Sequence, residues 1–124
     1  MNLVDSCGWL EYFSDGPNAG FFAAPIENVE SLLVPSICIF EVFKRVLQQR
    51  DENAALHAAA TMRRGLVVDL NSFIAISAAR TSVDLNLPLA DSVILATARA
   101  HGAMVWTQDA DFERISGVKF IAKR

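Results

Sequence analysis

The chain has 124 residues, 52% of them hydrophobic, and 11 Lys and Arg against 14 Asp and Glu give a net charge of −3. Mean hydropathy is +0.30, which excludes a disordered chain, and the length suits one domain with one core over residues 1–124. The charge excludes a protein that grips nucleic acid through phosphate neutralisation alone, because such proteins carry a large positive excess.

The elements follow in chain order. Asn2-Leu3-Val4-Asp5 reads as a first strand. Ser6 can cap a helix to Phe13, with Trp9 and Phe13 four apart on one face. The turn cluster Ser14-Asp15-Gly16-Pro17-Asn18 ends it. A second short helix spans Ala19 to Ser31, disturbed by Pro25. Leu32-Leu33-Val34-Pro35 is a compact strand, and Ile37 to Gln49 a strong helix. Asp51 or Asn53 starts another helix that runs to Arg64 and ends at Gly65. Leu66-Val67-Val68 is the third strand, Asn71 caps a helix to Leu85, and Pro88 breaks the chain before a helix over Leu89 to Ala100. Met104-Val105-Trp106-Thr107 and Val118-Lys119-Phe120-Ile121 are the last strands. Strands spaced by helices predict a three-layer α/β/α sandwich with a mostly parallel central sheet. Ligands of such sheets bind beyond the carboxyl ends of the strands.

No apolar run reaches the roughly 18 residues of a membrane-spanning helix, so no membrane partner is expected. No basic region precedes an apolar stretch at the N-terminus, so no secretory signal is expected and the cytoplasm is the expected compartment. Cys7 and Cys38 lie in apolar surroundings and read as small core residues. His57 and His101 stand alone, which gives no zinc spacing.

Four acids stand where an apolar pattern should have continued or ended. Asp5 closes Leu3-Val4, Glu41 interrupts Ile37 to Phe43, Asp91 sits inside Leu87 to Leu95, and Asp109 follows Met104 to Gln108. Each has a bland explanation. Asp5 and Asp109 can cap short helices, Glu41 can pair with Arg45 four residues on, and Asp91 complements a helix dipole. Jointly they are harder to dismiss, because one fold brings all four to one sheet edge. Repulsion there would raise their pKa values unless a cation offsets it, and hard cations such as Mg²⁺ take oxygen ligands of this kind. Asp111 either joins Asp109 or lies on the surface, and Asp69 reads as part of a turn. Lys44-Arg45, Arg50 and Arg63-Arg64 read singly as solvated helix faces and together as candidate phosphate contacts. The aromatic residues Trp9, Tyr12, Phe13, Phe21, Phe22, Phe40 and Phe43 are mostly core, with some left for a protein contact.

Four blocks carry a family resemblance: Leu3-Val4-Asp5-Ser6, Val34 to Val42, Leu89-Ala90-Asp91-Ser92-Val93-Ile94-Leu95-Ala96-Thr97-Ala98, and Trp106-Thr107-Gln108-Asp109-Ala110-Asp111-Phe112. The last two are the more specific. With them the chain resembles PIN-domain proteins nearly end to end, in particular the VapC-type toxins of toxin–antitoxin pairs. The resemblance implies a Mg²⁺- or Mn²⁺-dependent endoribonuclease with metal-binding acids at Asp5, Glu41, Asp91 and Asp109. It implies supporting roles for Ser6 and for Thr107, whose hydroxyl serves the acidic cluster, and it leaves Asp111 open. Ser92 departs from the Ala common there. It further implies an RNA substrate, a homodimer, and a cognate antitoxin whose tail covers the site.

The expected chemistry is metal-assisted phosphodiester hydrolysis, with Asp5, Asp91 and Asp109 holding one or two ions and Glu41 completing the shell or orienting the water. Two alternatives belong to other classes. A receiver-like phosphoacceptor domain needs an acid pair at the first strand end, where only Asp5 stands, and a lysine near the last strand, where Lys119 is a poor stand-in. A non-catalytic PIN-like interaction module would have no use for all four acids.

Overall fold

A computed structural model describes all 124 residues. Five strands form: β1 (Asn2–Val4), β2 (Leu32–Pro35), β3 (Leu66–Val68), β4 (Met104–Thr107) and β5 (Val118–Phe120). Six α-helices join them: α1 (Ser6–Phe13), α2 (Ala19–Glu27), α3 (Ser36–Gln49), α4 (Glu52–Met62), α5 (Ser72–Leu85) and α6 (Leu89–Ala100). The sheet has the order β3-β2-β1-β4-β5, and every pairing in it is parallel. The sheet is therefore wholly parallel, because every strand-to-strand connection runs through a helix or a crossing turn rather than a hairpin.

A parallel sheet covered on both faces needs apolar strands without alternation. The central strand meets that demand, since Leu3 and Val4 point to opposite faces and are both 0% exposed. All four residues of β2 are buried. Around them Trp9, Phe22, Cys38, Ile94, Leu95 and Phe112 close the main core. A smaller cluster of Ile74, Ala78, Val93 and Ala96 joins α5 to α6. Each residue from Ser92 to Ala98 in α6 is buried, so this helix is covered all round.

Local signals set the boundaries. Asn71 Oδ1 accepts the Ile74 N–H at 2.9 Å and starts α5, and Asp51 Oδ1 accepts the Ala54 N–H at 2.7 Å and starts α4. Asn86 ends α5 in the left-handed region at φ 54°. Several expected boundaries shift, and α4 ends at Met62 rather than Arg64. The second helix stops at Glu27, not Ser31, because Pro25 removes a backbone donor from its last turn and Asn28 leaves helical dihedrals. A separate 3₁₀ turn then fills Val29–Ser31. The first strand stops at Val4, since Asp5 turns to cap α1, and the last stops at Phe120.

Gly8 lets α1 lie close on the sheet. A Cβ there would sit 2.6 Å from Phe22 Cδ1 and 2.7 Å from Val4 Cγ1, both in the core. Gly8→Ala gains about 1 kcal/mol of helix propensity and meets an overpacking cost of about 1–3 kcal/mol. The clash should win, lowering the denaturant midpoint without changing the m-value. A midpoint at or above that of the parent protein would contradict this packing.

Candidate metal centre

The strand order places the site. The chain leaves β1 towards β2 on one side, whereas β4 leads to β5 on the other. A crevice therefore opens outside the carboxyl ends of β1 and β4, where the order reverses. Val4 pairs with Trp106, so the next residues, Asp5 just past β1 and Thr107 at the end of β4, meet there. The Asp5 N–H continues the ladder to the Trp106 carbonyl at 3.0 Å.

Thr107 organises the floor of this crevice. Its Oγ1 donates to Asp5 Oδ2 at 2.7 Å and accepts the Asp109 N–H at 2.9 Å. Asp5 Oδ1 accepts the Ser6 N–H at 2.7 Å, so the capping role is present as well. The Ser6 hydroxyl donates to Glu41 Oε1 at 2.6 Å, which fastens α3 to the start of α1. The hydrogen-bond partner of Glu41 is thus Ser6 rather than Arg45.

The tightest acidic group is Asp91, Asp109 and Asp111, whose carboxylate oxygens can lie within 4.8 Å of one another. Asp109 caps the 3₁₀ turn Ala110–Phe112, its Oδ1 accepting the Asp111 N–H at 2.9 Å. That turn brings Asp111 round beside Asp109. Asp5 lies deeper, only 4% exposed, and Glu41 reaches the group from α3. The four acids singled out from the sequence are therefore brought to one crevice, and Asp111 joins them more closely than Asp5 or Glu41 does.

Electrostatics report the same convergence. The Asp91 carboxyl is pushed up to about 7, first by burial and then by the charges of Asp5, Asp109, Asp111 and Glu41. All four other acids act on this one group. Asp5 is raised by burial, against the lowering effect of its bonds from Thr107, Cys7 and Ser6. The donor set is all hard oxygen, with no imidazole in the group. This chemistry fits Mg²⁺ or Mn²⁺ and does not fit a soft metal.

Cys7 corrects the sequence reading. It is not a core residue but a partly exposed one, with Sγ 3.3 Å from Asp5 Oδ2 and 3.4 Å from Thr107 Oγ1. Burial, and then the Asp5 charge, push its thiol up to about 12, so it stays protonated at neutral pH. Its place two residues after a strand-ending acid was the available signal. Cys38 is fully buried, as expected.

A cleft of about 730 Å³ leads away from Cys7 and Gln108 between α1, α3 and α4. Arg45, Arg50, His57 and Lys123 line it. Of the basic groups singled out, Arg45 and Arg50 face this cleft, whereas Lys44 lies over the Phe40 ring at 5.8 Å and Arg63 and Arg64 are not among its walls. Lys119, which a phosphoacceptor site would need, lies 4.5 Å from the Trp106 ring centroid.

Comparison with known proteins agrees with this architecture. A family model described as the PIN domain matches residues 3–118. No curated protein matches the sequence. Among solved structures, a toxin–antitoxin complex from Klebsiella pneumoniae superposes with a TM-score of 0.80 at 24% identity, covering 96% of each chain. The sarcin-ricin loop cleaving toxin VapC20 of Mycobacterium tuberculosis gives 0.79 at 15% identity, covering 94% of this chain and 95% of that one. DNA-bound VapBC from Salmonella typhimurium gives 0.75 at 18% identity and 98% of each chain. At these identities the likeness establishes the fold.

The raised Asp91 carboxyl makes the metal-free protein pH-sensitive. Folded Asp91 holds its proton to about pH 7, whereas the unfolded chain releases it near the ordinary value of 3.8. Between those values the unfolded state binds fewer protons, so stability falls as pH rises and the loss is complete above about 7. In EDTA, Asp91→Asn should therefore stabilise the protein at pH 8, by about 1–2 kcal/mol after solvent screening, and leave it unchanged at pH 4. Thermal denaturation at both pH values measures this, and an equal shift at both would contradict it.

Proposed function

The chain belongs to the PIN domain family, and from that premise we propose that it is a Mg²⁺-dependent endoribonuclease, the toxin of a toxin–antitoxin pair. The observation that carries the reading is the meeting of five carboxylates at one crevice, with those of Asp91, Asp109 and Asp111 within 4.8 Å. Folding pushes Asp91 up to about 7, a cost that a bound dication would offset.

Asp91, Asp109 and Asp111 would hold the ion from the open side, and Asp5 from behind, with Mn²⁺ able to stand in for Mg²⁺. A bound dication would make its water more acidic and supply positive charge to the reacting phosphate. The chain's own groups do the rest. Ser6 holds Glu41 at 2.6 Å, in place to orient the attacking water and take up its proton. Thr107 keeps Asp5 and Asp109 in register. Arg45, Arg50 and Lys123 along the cleft would neutralise flanking phosphates of the RNA, which answers the negative net charge locally. No histidine is required for proton transfer.

The structural neighbours, a toxin–antitoxin complex and a sarcin-ricin loop cleaving toxin among them, support a cognate antitoxin as partner and RNA as substrate. A homodimer is supported by apolar side chains left uncovered along α5 and at the start of α6, where Phe73 is 72%, Val83 83% and Leu89 73% exposed. The cytoplasm is the proposed compartment. No helix is long and apolar enough to cross a membrane.

Purified protein freed of any partner, incubated with a panel of structured cellular RNAs, tests the proposal. Site-specific cutting should need Mg²⁺, stop in EDTA, and fall about 100-fold or more in Asp5→Asn and Asp91→Asn. An Asp91→Asn protein that cuts at the parent rate would remove the site assignment. A folded protein that neither cuts RNA nor binds Mg²⁺ would favour the interaction module.

A further inference from the structure

Asp5 is the most buried acid of the site, and its two oxygens are not equivalent. Oδ1 has a single hydrogen-bond donor, the Ser6 N–H at 2.7 Å. Oδ2 has two neighbours, the Thr107 hydroxyl at 2.7 Å and the Cys7 thiol at 3.3 Å. A carboxylate oxygen accepts about two good hydrogen bonds. Oδ2 is thereby the more engaged of the two, while Oδ1 keeps a lone pair free.

The thiol proton can be assigned. Thr107 has one hydroxyl proton, and it goes to Asp5 Oδ2, while its oxygen also accepts the Asp109 N–H. In the 3.4 Å contact between Cys7 Sγ and Thr107 Oγ1 the thiol is therefore the only available donor. Cys7 thus donates into the Asp5–Thr107 pair, with Asp5 Oδ2 the nearer acceptor at 3.3 Å.

We propose that Cys7 is a positioning residue of the metal centre, whose thiol donates into the Asp5–Thr107 hydrogen bond and holds Asp5 with Oδ1 free for the cation. The inference rests on the metal-dependent reading above. Neighbours that orient a ligating carboxylate are half of how a metal site is built. Cys7 is suited to this because it sits in the first turn of α1, the helix that Asp5 itself caps, and so moves with it. A serine would keep a donor at that point, and an alanine would remove it.

The test measures Mn²⁺ binding by the RNA-free protein, by electron paramagnetic resonance or calorimetry, for the parent, Cys7→Ala and Cys7→Ser. Cys7→Ala should weaken Mn²⁺ by about fivefold to tenfold, the low end of what such neighbours contribute, because a thiol is a weak donor. Cys7→Ser should stay within about twofold of the parent. Thermal denaturation in EDTA accompanies each variant, so that a loss of binding is read only on folded protein. Unchanged binding in Cys7→Ala overturns the inference, as does an equal loss in both variants, which would mean that the volume of the sulfur matters and not its proton. A parent protein that binds no Mn²⁺ overturns the metal reading itself, and the inference with it.

Discussion

The site depends on one hydroxyl. Thr107 stands at the end of β4 beside Asp5 at the end of β1, donates its proton to Asp5 and accepts the Asp109 N–H. Two acids 104 residues apart in sequence are thereby held by the register of one strand pair, Val4 against Trp106. The cross-strand ladder itself could slip in an edge strand. It does not slip here, because β1 is the middle strand of five and both its faces are buried. A one-residue slip would drive Asp5 into the core and lift Val4 into the crevice. The hydrophobic cost of that slip and the Thr107 bond act in the same direction.

That rigidity sets up a gradient across the acids. Asp5 is buried, Asp91 and Asp109 are partly covered and Asp111 is exposed. The buried end is satisfied by donors from Ser6, Cys7 and Thr107, while the open end meets mainly its own kind. Burial, and then repulsion from the other acids, accordingly falls on Asp91, the group that borders both ends, and raises it to about 7. In a structural ion-pair network the opposite would be found, with acids shifted down by neighbouring cations. Asp5 and Asp91, both raised at a strand-end crevice, fit the proposed cation site better than an ion-pair network.

Much of this was legible in the residues. Asn71, Asp51 and Pro88 marked helix starts, and the strands read as unbroken apolar runs because a doubly covered sheet demands them. The acids were legible for the complementary reason, since each breaks or closes such a run. What was hidden depended on strand order and on one turn. Nothing in the chain announces that β1 sits between β2 and β4, and without that neighbour Thr107 is only one more strand threonine. Asp111 was left open because the 3₁₀ turn that swings it towards Asp91 is fixed by Asp109 capping, a bond over two residues that has the same sequence pattern as a surface turn. Cys7 read as core because its neighbours are apolar. Only its angular position on α1, next to the cap, turns its sulfur to Asp5. Glu41 is only half-buried, and its partner, Ser6, lies 35 residues away where no helical spacing points to it.

The negative net charge and a polyanionic substrate are compatible for a reason of distance. Surface charges act over about 8–10 Å at physiological ionic strength, so the total of −3 is not what an approaching strand feels. In the cleft the strand would meet Arg45 and Arg50 from α3 and Lys123 from the chain end, with Glu11 the one acid among the walls. Cys7, one of its walls, also touches Asp5, so the acidic group adjoins this side of the cleft. On the proposed reading, carboxylates without a cation would repel a phosphate drawn along the basic walls. A dication held by Asp91, Asp109 and Asp111 would offset that repulsion. The same acids that give the metal its place would thus keep the metal-free protein from engaging RNA at the reacting position, so that substrate binding and metal binding are coupled through charge alone.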